Sequence, residues 1–210
     1  MDQKFYDLLE SNPVIAAVKD MEGLKACCTR EEIKVVFILF GDICNIGAIV
    51  DQVEQVDKVA MVHVDLITGL SGKEVAVDFI KNNTAADGII STKPAMIKRA
   101  RELSLYTTLR VFVLDSMAFE NIEHQMAVAR PDTIEILPGL MPKVIRRVCR
   151  LVKVPGIAGG LISCLLYTSR TAYQQGDAGT GTGQYGPGAG EGDHHQVAGG
   201  PHRVQGKGWK

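Results

Sequence analysis

The sequence is short of the features that would assign it to several large classes. Its 23 basic and 24 acidic residues leave a formal charge of −1. That excludes a strongly basic nucleic-acid coat and an acidic tail protein, and leaves only a local charged patch open. No run of about 18 apolar residues occurs, which speaks against a transmembrane helix. Met1 to Glu10 is polar and acidic, unlike a signal peptide. The five cysteines form no Cys-x-x-Cys pair and have no histidine at metal-ligand spacing. They read as reduced, mostly buried thiols of a cytosolic protein, and neither a metal nor another cofactor is expected. No Gly-x-Gly-x-x-Gly follows the first apolar run, which weakens a dinucleotide-binding reading. No Ser–His–Asp or Cys–His arrangement is supported by spacing, so no catalytic residue is named. Cys44 has no base near it in sequence and reads as a buried, inert thiol.

What is present divides into two unlike parts. Residues 1–163 are rich in Val, Ile and Leu. Residues 164–210 are not, and Arg170 to Lys210 holds 12 of the 22 glycines, with Val197 and Val204 as its only branched aliphatics. A segment with so little to bury cannot offset the entropy of ordering itself, so the tail is expected to be disordered. His194 and His195 lie in it, where metal binding would be incidental. The fold is expected in residues 1–163.

That part has a rhythm. Short apolar runs stand at Val14–Val18, Val35–Phe40, Val59–Val64, Gly88–Ser91, Thr108–Leu114, Thr133–Leu137 and Gly156–Ala158. Continuous apolarity over such short runs suits strands buried on both faces, as in parallel sheets. Amphipathic stretches lie between them, and another precedes the first run at Gln3–Glu10. A spacing of roughly 20 to 25 residues from strand to strand is that of βα units. Seven units leave an open doubly wound sheet or a (β/α) barrel short of its eighth unit. Polar residues recur just after the strand ends: Lys19, Asp42, Asp65, Ser91, Thr92, Asp115, Gly159 and Gly160. In a barrel they converge on one face, which favours an α/β, TIM-barrel-like fold with about seven βα units, an incomplete barrel.

Several segments carry a family likeness: PVIAAVKD at Pro13–Asp20, FGDICNI at Phe40–Ile46, HVDLITGL at His63–Leu70, KEVAVDFI at Lys73–Ile80, ADGIISTK at Ala86–Lys93, VLDSM at Val113–Met117, IEILPGLMPK at Ile134–Lys143 and AGGLIS at Ala158–Ser163. In order and spacing they resemble the glycerol-3-phosphate-responsive antiterminators, also called glycerol uptake operon antiterminator regulatory proteins. The resemblance implies a TIM-barrel-like fold, glycerol 3-phosphate as effector, and binding to an mRNA leader to prevent premature termination. It stops after Ser163. CLLYTSR at Cys164–Arg170 looks like a translated library adapter followed by an out-of-frame tract; a Gly-rich extension is the other reading. An eighth strand is not recognisable, and the first and seventh strands would be left with open edges.

The candidate ligand residues each have a plainer role to weigh. Gly159 and Gly160 could let backbone N–H groups approach a phosphate, or form a tight turn; the resemblance favours phosphate. Ser91 and Thr92 could contact ligand or cap the helix that Pro94 opens. Lys93 could balance a phosphate or be a solvated charge. Asp65 could accept the hydroxyls of a polyol, with Lys19 as its partner. His63 reads as a hydrogen-bonded core histidine. Asp115 could line the same mouth or cap the next helix. Arg110 could face inward to a ligand or carboxylate, or snorkel outward. Glu135 near Lys19 or Arg110 would serve structure as readily as function.

Lys143, Arg146, Arg147, Arg150 and Lys153 fall within a stripe roughly 120° wide on one helix. Val144, Ile145, Val148, Cys149, Leu151 and Val152 take the other side. A smaller basic cluster, Lys98, Arg99 and Arg101, stands beside Lys93. Such patches give phosphate affinity with little sequence information. No aromatic interleaves the stripe, and no RRM, KH or OB signature occurs, so the chain permits RNA binding while the resemblance proposes it. The expectation is a cytoplasmic regulator, not an enzyme, that senses glycerol 3-phosphate and binds an mRNA leader away from membranes. The alternative is a barrel enzyme acting on a small phosphorylated substrate. A homo-oligomer stays open.

Overall fold

The computed structural model describes residues 3–162 and, for the backbone, residues 168–173. Seven parallel strands alternate with helices: β1 Val14–Val18, β2 Val35–Ile38, β3 Val59–His63, β4 Gly88–Ser91, β5 Tyr106–Phe112, β6 Thr133–Leu137 and β7 Gly156–Ala158. Each pairs in parallel with the next in chain order. Helix α1 Gln3–Ser11 precedes β1. The crossovers are α2 Met21–Cys28, α3 Ile46–Glu54, α4 Val75–Asn83, α5 Pro94–Glu102, α6 Ser116–Ala129 and α7 Pro142–Leu151. The architecture is the expected α/β, TIM-barrel-like one, with seven βα units instead of eight.

Closure comes from a strand the sequence did not announce. β8, Thr168–Tyr173, runs antiparallel between β7 and β1 and completes the ring. The expected open edges of β1 and β7 are corrected by this pairing. Two unpaired edges are a template for any extended segment that can reach them, and TSRTAY is rich in strand-favouring Thr and Tyr. For residues 170–173 the expected disorder is corrected by this strand; residues 163–167 and the rest of the tail, 174–210 with His194 and His195, lie outside the described residues.

Alternation along the strands sorts side chains into two cores. Ala16, Val18, Val36, Ile38, Ala60, Val62, Ile89, Leu109, Ile134 and Ile136 pack outward against the helices. Ile15, Val35, Phe37, Met61, Ile90 and Ile157 point inward, together with Phe5 and Leu9 of α1. Helix α1 therefore plugs the N-terminal end of the barrel, and the Phe5 ring stacks on Tyr106 at 4.3 Å between centroids. The helices start where the chain tells them to. Asp20 and Asp115 accept backbone hydrogen bonds from Gly23 and Ala118, capping α2 and α6. Pro94 and Pro142 occupy the first turns of α5 and α7, where the missing donor costs little.

Candidate functional site

The C-terminal end of the barrel is as polar as the other end is apolar. Continuing the inward alternation of β3 past Met61 puts His63 inside the mouth, and the 3-10 turn Val64–Leu66 then carries Asp65 to the end of β4. Asp65 organises the end of β4. Its Oδ2 accepts hydrogen bonds from the Ser91 hydroxyl at 2.9 Å, the Thr92 N–H at 2.8 Å and the Thr92 hydroxyl at 3.3 Å. The Lys93 ammonium lies 3.3 Å from Oδ1. Ser91 Oγ in turn accepts from the Lys93 N–H at 3.1 Å. Asp65, Ser91, Thr92 and Lys93, predicted separately, are thus one cluster. Ser91 and Thr92 are tied to a carboxylate across the strand gap, and neither is a side-chain cap of α5. Burial works to raise the Asp65 carboxyl. The hydrogen bonds from Thr92 and Ser91 outweigh it and hold the group below its ordinary value, ionised at neutral pH.

A layer deeper, Arg110 and Glu135 face each other across β5 and β6. Arg110 Nε donates to Glu135 Oε2 at 2.6 Å, and both side chains are buried. Burial pushes the Glu135 carboxyl up, with the guanidinium opposing it. Of the alternatives for Arg110, the inward carboxylate partner is the one adopted. His63 is buried, and desolvation followed by repulsion from Arg110 lowers its pKa to about 3. The imidazole is neutral at physiological pH. Its Nδ1 has no hydrogen-bond partner and stands 3.9 Å from Asp65 Oδ2, too far to bond. The hydrogen-bonded core histidine expected from sequence is corrected at this atom.

The two glycines after β7 serve different ends. Gly159 donates its N–H to the Ile136 carbonyl at 3.0 Å, within the barrel ladder. A Cβ there would collide with the Glu135 carboxylate, with Cδ at 2.9 Å, so Gly159 makes room for the ion pair. Gly160 has φ +68°, the left-handed region, and a Cβ would press on Leu137 Cδ2 at 3.0 Å. Lys19 ends β1 at the same face and is exposed. Asp115 takes the capping role. Cys44 is exposed, not buried as expected, in a turn where Asp42 accepts hydrogen bonds from the Cys44 and Asn45 N–H groups. The thiols that are inert by burial are Cys27 and Cys149, each pushed up to about 11. Among the described residues no cluster fit for a metal ion occurs, and no helix is long and apolar enough to cross a membrane.

The basic stripe is displayed on α7 and just beyond it. Lys143, Arg146, Arg147, Arg150 and Lys153 are all exposed, while Ile145, Val148 and Cys149 are buried beneath them. The Arg147 guanidinium sits 4.3 Å over the Phe119 ring of α6, which fixes one member of the stripe in place. The smaller cluster is weaker than its composition suggests. Arg99 is clamped by Asp78 at 2.5 Å and Glu102 at 3.0 Å, which leaves Lys98 and Arg101 as its exposed members.

Sequence reading underrated His63, Arg110 and Glu135. The available signal was a charged or imidazole side chain at an inward position of an otherwise apolar strand, which is costly unless it has a use or a partner.

Comparison with known proteins adds an independent line. The family model for the glycerol-3-phosphate responsive antiterminators matches residues 14–172. The match passes Ser163, where the sequence resemblance ended, and takes in nearly all of β8. The uncharacterized protein YgcP of Escherichia coli (strain K12) is 48% identical over 155 residues, 74% of this chain and 81% of that protein. The glycerol uptake operon antiterminator regulatory protein of Listeria monocytogenes superposes with a TM-score of 0.68 at 28% identity, covering 72% of this chain and 81% of the other. A glycerol uptake operon antiterminator-related protein of Thermotoga maritima gives a TM-score of 0.62 at 34% identity, over 72% and 84% of the two chains.

Proposed function

The chain belongs to the glycerol-3-phosphate responsive antiterminator family, a family of transcription regulators, and from that premise we propose that it binds glycerol 3-phosphate in the mouth of the barrel and an mRNA leader on the basic face of α7. The observation that carries the ligand half is the Asp65–Ser91–Thr92–Lys93 cluster, an ionised carboxylate and an ammonium 3.3 Å apart at the ligand-binding end of the barrel. Lys93, Lys19 and the Gly160 backbone answer the phosphate; Asp65 answers the polyol. Asp115 caps α6 through Oδ1 and keeps Oδ2 for the ligand. Lys143, Arg146, Arg150 and Lys153 supply RNA phosphate contacts, with Arg147 held by Phe119 as a fixed member. The working compartment is the cytoplasm, where leader transcripts are made.

Ligand and RNA are then coupled, and the coupling is reciprocal. The test is RNA binding by the full chain to the leader of a glycerol-uptake transcript, with and without glycerol 3-phosphate, at two salt concentrations. Ligand should tighten RNA binding. The combined change Arg146→Glu, Arg147→Glu, Arg150→Glu should weaken it by more than about tenfold and flatten its salt dependence. RNA affinity that ignores both ligand and triple change would refute the reading. Turnover of glycerol 3-phosphate would favour the enzyme alternative.

A further inference from the structure

Two polar atoms in the mouth are buried without a hydrogen-bond partner: Nδ1 of His63 and Oδ1 of Asp65. The His63 side chain is only 3% exposed and that of Asp65 14%. His63 ends β3 on its inward side and Asp65 stands in the 3-10 turn after it, with 3.9 Å between His63 Nδ1 and Asp65 Oδ2. The rest of the cluster leaves them unsatisfied. Asp65 Oδ2 takes the bonds from Ser91 and Thr92. Oδ1 has the Lys93 ammonium at 3.3 Å as an ion-pair partner, poorly aligned for a hydrogen bond. Burying Nδ1 with no partner and Oδ1 with only an ion pair to Lys93 is costly, so a site that keeps both is built for something that hydrogen-bonds to them.

The chemistry of the pair is specific. Asp65 is ionised, and a carboxylate can only accept. His63 is neutral, so it adds no positive charge that would draw a second anion inward. An acceptor-only oxygen is satisfied by a donor. An alcohol O–H donates to Oδ1 whichever imidazole tautomer stands beside it, and its oxygen can still accept from Nδ1–H. A carbonyl oxygen has no proton to give, and facing Oδ1 it would set lone pairs against a negative charge.

We infer that His63 and Asp65 read the central hydroxyl, the one that oxidation turns into a carbonyl, which makes the site select a phosphorylated alcohol over the ketone of the same carbon skeleton. The inference rests on the proposed ligand site and states what that site discriminates. Its consequence is that the protein reports the reduced, alcohol form of a three-carbon phosphate and ignores the product of oxidising it.

The test is calorimetric titration of the full chain with sn-glycerol 3-phosphate, dihydroxyacetone phosphate and 3-hydroxypropyl phosphate, the last lacking only the central hydroxyl. Sites built around a substrate hydroxyl discriminate strongly against analogues without it, so the ketone and the deoxy compound should each bind roughly 100-fold more weakly or worse. In Asp65→Asn, whose amide offers a donor, the alcohol-to-ketone ratio should fall below about tenfold. Alcohol and ketone binding within a factor of about three would overturn the reader while leaving the ligand site standing. Binding of none of the three compounds would overturn the ligand site, and the reader with it. Should Asp65→Asn fail to fold because Ser91 and Thr92 lose their anchor, His63→Gln decides. A ratio reduced at least several-fold supports the reader, and an unchanged ratio overturns it.

Discussion

The two ends of this barrel are lined by the same strands and do opposite things. At the N-terminal end, Phe5 and Leu9 of α1 close over Ile15, Val35, Phe37, Met61, Ile90 and Ile157, with nothing charged among them. At the C-terminal end stand His63 at the end of β3, Asp65 in the turn after it, Arg110 on β5 and Glu135 on β6. Exposed large apolar side chains gather at the C-terminal end, at Leu66, Leu114, Met117, Leu140 and Leu161, against Val56 and Val128 at the N-terminal end. Buried charge occurs at both ends, but at the N-terminal one Lys58 donates to the Arg30 and Ile33 carbonyls and Asp132 accepts from Thr107, whereas the C-terminal one also holds buried polar atoms without a hydrogen bond. Departures from good packing gathered at one end of a fold mark where selection acts on something besides stability.

That contrast can be broken from either end. The largest effect is expected at the ion pair. Glu135→Leu leaves the Arg110 guanidinium buried without its carboxylate and should cost about 3 to 5 kcal/mol in urea unfolding. Leu9→Ala, at the apolar end, should cost about 2 to 4 kcal/mol. It should leave the affinity of the folded protein for glycerol 3-phosphate unchanged, whereas a loss of affinity there would blur the division between the ends. Acid should act through His63. Its folded pKa of about 3 lies below its ordinary 6.5. Between these values the unfolded chain takes a proton that the folded chain refuses, so this contribution is complete above pH 6.5 and is lost as pH falls. Between pH 7 and pH 5 the wild type should lose about 2 kcal/mol that His63→Gln does not. Gly160→Val, strained at φ +68°, should weaken glycerol 3-phosphate binding at least about tenfold for a stability cost of only about 1 kcal/mol. Smallest of all is Arg146→Ala, an exposed change that should alter stability by less than about 0.5 kcal/mol while reducing the salt slope of RNA binding.

The apolar half of this picture was legible in the sequence. Seven Val- and Ile-rich runs with amphipathic stretches between them place all seven parallel strands, because burial on both faces forces continuous apolarity. The polar cluster was legible as separate residues, since Asp65 and the Ser91–Lys93 segment each follow a strand. That they bond to one another depends on β3 and β4 being neighbours in register, which no local pattern states. The role of Gly159 was hidden for the same reason: its constraint is a carboxylate on the adjacent strand. Closure by β8 was hidden further still. Its pairing is supplied by two edges more than 150 and about 10 residues away in the chain. Helix α7 shows the opposite case. Its basic stripe is local and periodic, so composition alone exposed it, whereas the Phe119 ring beneath Arg147 comes from another helix.

Amide hydrogen exchange of the full chain, with and without saturating glycerol 3-phosphate, puts both ends of the barrel in one measurement. If the polar end is the ligand site, added protection should concentrate at residues 63–66, 91–93 and 159–161, and α1, at residues 3–11, should exchange as it does without ligand. Protection confined to α1, or an unchanged pattern around Asp65 and Lys93 under saturating ligand, would contradict the account.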